Sequence, residues 1–403
     1  MFILAFRNIF RNRLRTALTL AAIVCGVAAI IVSGGFVEDV FVQLRESTIH
    51  SHLGHAQIYR QGYLEYGRRE PSRYLIPRPR ELLDMLRPIP HVQEVTTRVN
   101  FSGLANNGRA DLPVVGEGVE PDKENRLSTA LVYVAGHSLQ NADPFGINVG
   151  EGVAHALKLK PGDLVNLTVS TPEGAVNALE FKVAGIFRTF SKDYDDRAVR
   201  ITQTAAQELL RTQAAHSLVV WLDDTRYTDA AVAAIRASLD GRGYDTRTWQ
   251  ELADFYNKAV ALYRRQFGAL QFIILVMLVL SVASTVNMVV YERTGEFGTL
   301  LAFGYRRRDI FQLVLLENAI LGLVGGILGA LVGAVLALVV SAVGIQMPPP
   351  PGSSAAYTAS IRLVPGVVGI AALIGTVAAI VAAVLPGRRA SRFPVVEALR
   401  HNI

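Results

Sequence analysis

The sequence predicts a membrane protein that combines four transmembrane helices with a large α+β extracytoplasmic domain between the first and second helices. Two observations support this fold class. Uncharged stretches of 22, 26, 44 and 25 residues lie at 16–37, 266–291, 318–361 and 363–387, and a helix needs about 20 residues to cross about 30 Å of hydrocarbon. Between the first two stretches, the apolar residues alternate as they do in β-strands.

The first stretch is predicted to be a retained membrane anchor. A cleavable signal peptide is the alternative, but its apolar core has about 7–15 residues, and this stretch is 22 residues long. Ahead of it, residues 1–15 are predicted to form an amphipathic interfacial helix with Ile3, Phe6, Phe10 and Leu14 on one side.

The 44-residue stretch is too long for one span, and a segment rich in Pro and Ser interrupts it. We therefore divide it into a third span and an extracytoplasmic turn. The predicted order is amphipathic helix 1–15, span 16–37, extracytoplasmic domain 38–265, span 266–291, cytoplasmic loop 292–309, span 310–340, turn 341–362, span 363–387 and cytoplasmic tail 388–403.

The distribution of arginine predicts the orientation. Segments 1–15, 292–309 and 388–403 carry four Arg each, whereas Arg362 is the only basic residue in the predicted extracytoplasmic turn. Basic residues near span ends stay on the cytoplasmic side, so these three segments should face the cytoplasm and the large domain should lie outside. The formal net charge of +6 therefore reflects topology. It does not indicate a nucleic-acid partner, because the basic residues are not gathered on one soluble face.

The large domain is predicted to be a ferredoxin-like unit interrupted by a β-rich lobe at about residues 125–212. The element order β-α-β-β, insertion, β-α-β is typical of such a unit. Its predicted elements are strands 55–60, 94–105, 109–120, 216–224 and 244–249 and helices 79–89 and 226–243. The only cysteine, Cys25, lies in the first span, so the domain depends on its hydrophobic core and not on disulfides.

No pattern in the sequence points to catalysis, to a bound cofactor or to a metal. His50, His52 and His55 are closely spaced, but no Cys or carboxylate lies at ligand spacing beside them. The acidic segment 193–196 lacks the Gly and Glu of a calcium loop. The chain also lacks a nucleophile elbow and a phosphate-binding P-loop. We therefore predict a non-catalytic chain.

The predicted third span carries glycines spaced four residues apart. They are Gly322, Gly325, Gly326, Gly329 and Gly333. Small residues on one stripe let helices approach closely in lipid, so this face is predicted to pack against another helix. Glu317, the only carboxylate of the span, is expected to extend toward the inner headgroups, with an ion or proton relay as the alternative.

Several segments resemble one family, the MacB/FtsX/LolC–LolE type of ABC-transporter permease. FRNIFRNRLRTALT is similar to the family's entry into the first span, and LPGRRASRFPVVEALR is similar to its C-terminal tail. The family's signature block resembles NMVVYERTGEFGTLLAFGYRRRDIFQLVLLENAILGLVGGILGALVG. GHAQIYRQGY and LKLKPGDLVNL resemble the lipoprotein-releasing branch.

The resemblance implies a permease of the bacterial inner membrane with its large domain in the periplasm. The implied partners are a cytoplasmic ABC ATPase dimer, which would bind ATP and Mg, a second permease in a homo- or heterodimer, membrane lipid and a periplasmic carrier or adaptor. The implied function is extraction or export of a lipoprotein, lipid or amphiphilic substrate on the periplasmic side. The alternative is a mechanotransmitting permease that activates a periplasmic partner such as a cell-wall hydrolase.

The resemblance also implies where partners bind. Segment 292–309 corresponds to the coupling helix that docks on the ATPase, and helical spacing places Phe297, Leu300 and Leu301 on one face of it. The residues assigned to ATPase coupling are Glu292, Arg293, Glu296, Phe297, Leu300, Leu301 and Gly304. An exposed polar hairpin tip is the candidate contact for a periplasmic partner. Its residues are Asn106, Asn107, Gly108 and Arg109.

Overall fold

The computed structural model describes Asn8 and residues 13–67, 70–347 and 357–393. The chain divides into two compact units. The helical unit comprises Met1–Phe41, Val260–Met347 and Thr358–Ile403, and the sheet unit comprises Val42–Ala259 and Pro348–Tyr357. The predicted N-terminal amphipathic helix, most of the Pro-rich turn and the end of the C-terminal tail lie outside the described residues.

The described helices and strands are numbered here in chain order. The α-helices are α1 Arg13–Thr48, α2 Tyr63–Tyr66, α3 Pro79–Leu86, α4 Pro121–Leu127, α5 Glu151–Leu157, α6 Lys192–Asp195, α7 Gln203–Leu210, α8 Thr228–Ser238, α9 Trp249–Leu252, α10 Asp254–Glu292, α11 Thr294–Ala302, α12 Arg307–Val343 and α13 Pro365–Ala390. The strands are β1 Ala56–Arg60, β2 Val92–Asn106, β3 Asp111–Val119, β4 Val132–Gly136, β5 Gly146–Gly150, β6 Leu164–Ser170, β7 Val176–Arg188, β8 Ala198–Thr202, β9 Ser217–Leu222, β10 Tyr244–Thr248, β11 Ile345–Met347 and β12 Tyr357–Ala359.

Four helices of the described ranges are long and apolar enough to cross a membrane, as the sequence predicts. They are α1, α10, α12 and α13. Two of them are longer than the uncharged stretches, since α1 continues past residue 37 to Thr48 and α10 begins at Asp254. The predicted spans end at charged residues because they were defined as uncharged stretches. The helices continue past these residues, because Glu, Arg, Gln and Lys are good helix formers.

The glycine stripe of α12 packs against two helices of the same unit. A Cβ added at Gly329 would lie 2.7 Å from Val27 in α1, and one at Gly326 would lie 2.9 Å from the Ala372 carbonyl in α13. Gly325 and Gly333 also face α1, and Gly322 also faces α13. The absence of side chains at these positions is what lets α12 fit between α1 and α13.

The described part of the sheet unit forms a ten-stranded mixed sheet in the order β10-β1-β9-β2-β3-β8-β5-β7-β4, with β6 paired to β2 and β7. The long strand β2 joins its two halves. Residues Val92–Arg98 pair with β9, and residues Val99–Asn106 pair with β3. Each half has its own core, the first around Leu86 and Ile235 and the second around Phe181 and Leu209.

The strand pairing changes the predicted lobe boundary. The sequence pattern assigns 109–120 to the first lobe and predicts that the insertion begins at about residue 125. In the structure β3 pairs with β8 in parallel, and the end of β2 pairs with β6, so this hairpin belongs to the inserted half. The alternating pattern identifies a strand with one buried face. It does not show which strand pairs with it, because the core of either half of the sheet could bury that face.

Candidate functional site

The predicted coupling segment forms the nine-residue helix α11. Arg293 separates it from α10 and has non-helical backbone angles, with φ −95° and ψ 12°. At its other end, Gly304 has φ 92°, a left-handed conformation that glycine adopts without a steric penalty. This short helix thus has a defined break at both ends.

The apolar face of α11 is turned inward, which corrects the predicted role of Phe297. Phe297 is only 1% exposed and belongs to the same core as Val290 and Ile310. Leu300 and Leu301 are partly buried against that core. Apolar side chains at helical spacing mark a buried face, and here the chain's own helices cover it. Phe297 is therefore a core residue of the permease and not a surface anchor.

The exposed surface of α11 and its C-terminal end presents other residues. Phe303, which is not among the residues predicted to bind the ATPase, is 80% exposed, and Tyr305 is 39% exposed. Thr299 and Ala302 are exposed on the same segment, and the exposed arginines Arg306–Arg308 follow. An exposed aromatic residue beside a helix-ending glycine was the available sequence signal. Aromatic residues and arginine are enriched at protein interfaces.

Arg293, between the end of α10 and the start of α11, is buried and paired. It is 7% exposed. Its Nη1 lies 2.8 Å from Oε2 of Glu317 in α12, and its Nε lies 3.0 Å from Oε2 of Glu296 in α11. The guanidinium centre also lies 5.2 Å from the centroid of the Phe297 ring. Arg293 thus joins the coupling segment to the third long helix.

Glu317 does not extend to the headgroups, which corrects the sequence-based expectation. It is 7% exposed, and besides Arg293 it accepts a 2.7 Å hydrogen bond from Nδ2 of Asn8. The expectation was wrong because Arg293 was counted as a loop residue, whereas the fold brings it to the side of α12. Next to this group, Arg15 of α1 forms an ion pair with Glu292 at the end of α10.

A cavity of about 50 Å³ adjoins these charges. Its lining includes Asn8, Arg15, Thr19, Arg293, Glu317 and Asn318. Among the described residues Asn318 Oδ1 has no hydrogen-bond partner, although the side chain is buried. Apolar side chains such as Val286 and Leu321 line the rest of the cavity, and an ordered water at its polar side would satisfy such an oxygen.

A second group of buried charges lies in the sheet unit. Arg98 of β2 and Arg200 of β8 are each 2% exposed. Arg98 Nη2 lies 2.8 Å from Glu124 Oε1, and Arg200 Nη2 lies 3.2 Å from Glu117 Oε2. Burial alone would raise the pKa of the Glu117 carboxyl, but the two guanidinium groups together hold it below its ordinary value. Two guanidinium groups and two carboxyl groups thus meet in one buried cluster.

These arginines also hold the segment that follows α1. Arg200 donates a 2.7 Å hydrogen bond to the carbonyl of Ser51, and Arg98 donates to the carbonyl of His52. Both carbonyls lie in the π-helical turn Ile49–Leu53. The end of the first long helix is thus attached to two strands, β2 and β8, through charge-assisted hydrogen bonds.

The predicted hairpin tip is an ordered turn. Gly108 has φ 83°, and Asn107 Oδ1 accepts the backbone N–H groups of Arg109 and Ala110. Asn107 Nδ2 donates to the carbonyl of Leu157 in α5 at 2.7 Å, which fixes the turn on that helix. The Arg109 side chain is exposed at the tip.

The closely spaced histidines serve the fold. His55 Nδ1 accepts the backbone N–H of Leu222, and His50 Nδ1 lies 3.2 Å from the Leu127 carbonyl. Across the described ranges, no group of three or more His, Cys, Asp or Glu side chains is placed to hold a metal ion.

Two family models match the chain. The MacB-like periplasmic core domain matches residues 16–238, and the FtsX-like permease C-terminal region matches residues 268–395. The first match covers the sheet unit almost entirely. The second contains α11, Arg293 and Glu317.

Known relatives agree with these matches. The chain is 26% identical to an uncharacterised ABC transporter permease, YvrN, of Bacillus subtilis over 99% of this chain and 98% of the relative. It is 24% identical to the lipoprotein-releasing system transmembrane protein LolC of Neisseria meningitidis, over 96% of this chain and 94% of the relative. A third relative, an uncharacterised ABC transporter permease of Methanocaldococcus jannaschii, is 22% identical, and the match spans only about half of each chain, 53%.

The two matches together account for nearly all of the described sequence, and they confirm the resemblance seen in the quoted segments. The chain belongs to the family of FtsX-like ABC-transporter permeases with a MacB-like periplasmic core domain.

Proposed function

We propose that this chain is the non-catalytic permease subunit of an ABC transporter that acts on a lipoprotein, lipid or other amphiphilic substrate on the periplasmic side of the inner membrane. ATP and Mg would bind to a separate cytoplasmic ATPase dimer, as the resemblance to the family implies. The observation that supports this most directly is α11. It is a short helix with a buried apolar face, an exposed aromatic end and a flanking run of arginines.

The ATPase would dock on the exposed end of α11. Phe303 is the proposed anchor, because an 80% exposed aromatic side chain gains most from burial in a partner's groove. Of the residues assigned from the sequence, Glu292, Leu300, Leu301 and Gly304 lie beside this surface and shape it. Phe297, Arg293 and Glu296 hold the helix in place.

The sheet unit would receive the motion and handle the substrate. We propose that β10, β1, β9 and the first half of β2, with α3 and α8, form the ferredoxin-like lobe between the first two membrane spans. The bonds from Arg98 and Arg200 to the turn after α1 would carry a movement of α1 into both halves of the sheet. The tip at Asn106–Arg109 remains the proposed contact for a periplasmic carrier or adaptor.

The relatives' names leave the substrate class open. LolC is named for lipoprotein release, and another relative, of Pseudomonas fluorescens, is named for pyoverdine export. The alternative function is a mechanotransmitting permease that activates a cell-wall hydrolase. Native mass spectrometry of the complex purified from its host membrane distinguishes the two, since it shows whether a lipoprotein or a hydrolase copurifies. The same spectrum gives the subunit composition, and a complex with a second copy or a different permease is expected.

Replacement of Phe303 tests the docking surface. Phe303→Asp should remove the ATPase from the complex during affinity purification, because a charge at a buried hot spot costs several kcal/mol, about 2–4. The permease itself should purify in normal yield. Phe297→Asp should instead lower the yield of folded permease, because it buries an unpaired charge in the core.

Val176→Asp is the matched control, since Val176 is 72% exposed in the sheet unit, and it should keep the ATPase bound. Full ATPase retention by Phe303→Asp would place the docking surface elsewhere.

A further inference from the structure

Arg293 and Glu317 form a buried ion pair between the break that precedes α11 and the third long helix, α12. Arg293 lies at the break between α10 and α11, and Glu317 lies in the third turn of α12. The two side chains are 9% and 10% exposed, and Nη1 of Arg293 lies 2.8 Å from Oε2 of Glu317. Glu317 uses its other carboxylate oxygen for Asn8. One carboxylate thus contacts the segment before α1, the break before α11 and the body of α12.

Stability alone does not account for a charge pair at this place. The free-energy cost of removing two charges from water is commonly larger than the free energy gained from their attraction. A protein with well-packed apolar residues of similar volume in their place is often at least as stable. Ionisable residues within membrane helices are correspondingly rare. What a buried pair supplies is one specific geometry, because a misplaced α11 would leave both charges uncompensated.

The neighbouring contacts restrict Arg293 to this geometry. Its Nε is held by Glu296 at 3.0 Å, and its guanidinium lies over Phe297 at 5.2 Å. Both of these residues belong to α11. The side chain is therefore fixed on the α11 side, and the bond to Glu317 is the polar connection that reaches α12.

We propose that the Arg293–Glu317 pair is a latch that makes α11 and α12 move together, so that force received by α11 passes directly into the third membrane helix. Arg293 and Glu317 are then positioning residues and contact neither nucleotide nor substrate. The proposal rests on the proposed function, because it assumes that α11 receives the force. The effect of the pair on the distance between α11 and α12 can be measured in the permease without the ATPase.

The test is a spin-label distance across the latch. In a Cys25→Ser chain in lipid nanodiscs, labels at Ala302 of α11 and Leu323 of α12, both exposed, should give one narrow distance distribution. Arg293→Leu and Glu317→Leu should each abolish that dominant peak. Arg293→Lys keeps the positive charge and should retain the peak, whereas the uncharged Arg293→Met, of similar length, should not. Arg265→Leu, at an exposed arginine of α10 outside both the latch and the docking surface, is the matched control and should leave the distribution unchanged.

The experiment separates failure of the latch from failure of the proposed function. A narrow distribution in both leucine variants, or an Arg293→Lys chain as broad as the leucine variants, would overturn the latch. If the leucine variants do not purify, Glu317→Gln has the same shape without the charge and decides in their place. The ATPase is absent from this measurement, so an ATPase that docks elsewhere would contradict only the proposed function. With the ATPase present, ATP and vanadate should leave the α11–α12 distance unchanged in the parent chain. They should shift this distance in Arg293→Leu and Glu317→Leu.

Discussion

His216 and His55 illustrate how single residues respond to burial in the sheet unit. They are 5% and 1% exposed. Burial lowers the pKa of both imidazoles from 6.5 to about 4, because a low-dielectric environment penalises the charged form. Both rings are therefore neutral in the folded protein at neutral pH, and His216 Nδ1 accepts the backbone N–H of Asn100.

The pKa of His216 predicts acid sensitivity of the sheet unit. Between pH 6.5 and about 4 the unfolded chain binds more protons than the folded chain, so the free energy of unfolding falls as the pH decreases through that window. At about 1.4 kcal/mol per pKa unit, one such histidine contributes up to about 3 kcal/mol. His216→Gln should remove this contribution and make unfolding less dependent on pH.

Tryptophan fluorescence measures this effect in the full chain, since both tryptophans, Trp221 and Trp249, lie in the sheet unit. Burial raises the pKa of Asp195 to about 6, which acts in the opposite direction, so the informative quantity is the difference between variant and parent. His137→Gln, at an exposed position, is the control and should follow the parent. Identical profiles for His216→Gln and the parent would contradict the prediction.

Among the elements, α12 shows most clearly how a pattern of small residues determines helix packing. One side of its glycine stripe contacts α1 and the other contacts α13. The sequence predicted close packing but left open whether the partner is a helix of this chain or of a second permease. The structure supplies partners within the chain for all five glycines, so a second permease would use other surfaces.

Gly329→Leu should destabilise the helical unit. Its Cβ would already lie 2.7 Å from Val27, and overpacking of a well-packed contact typically costs about 1–3 kcal/mol. The expected results are a lower melting temperature in detergent and loss of the monodisperse peak in size-exclusion chromatography. Gly369→Leu in α13 is the control, because a Cβ there meets nothing within 4 Å. Equal behaviour of the two variants would mean that α1 and α12 are not in close contact.

For the whole molecule, the predicted arrangement places both termini and α11 on the cytoplasmic side and the sheet unit on the other. The prediction rests on the four arginines in each of three segments. The family matches agree with it, since one is to a periplasmic domain and covers residues 16–238.

Cysteine labelling tests this arrangement in whole cells. In a Cys25→Ser chain, an impermeant maleimide should label Ser170→Cys in β6, which is exposed in the sheet unit. It should label Ala302→Cys in α11 only after the membrane is permeabilised. The reverse pattern would show that the orientation derived from the arginines is wrong.

The sequence by itself determined the four long apolar helices, five strands of the ten-stranded sheet, the break after α11 and the family. Each of these depends on a local signal, such as the length of an uncharged stretch, a period of two or a glycine after a helix. Such signals can be recognised in the sequence because they depend only on residues that are close together along the chain.

Only the tertiary structure decided which surfaces are covered. Phe297 and Phe303 differ by six positions in the same segment, and one is 1% exposed while the other is 80% exposed. Arg293 looked like a loop residue, and Glu317 looked like a residue without a charged partner, until the break between α10 and α11 brought the two side chains to 2.8 Å. The pairing of β3 with β8 likewise joins residues about 80 positions apart. Apolar spacing shows that a face is buried, but the partner that buries it is set by contacts between distant parts of the chain.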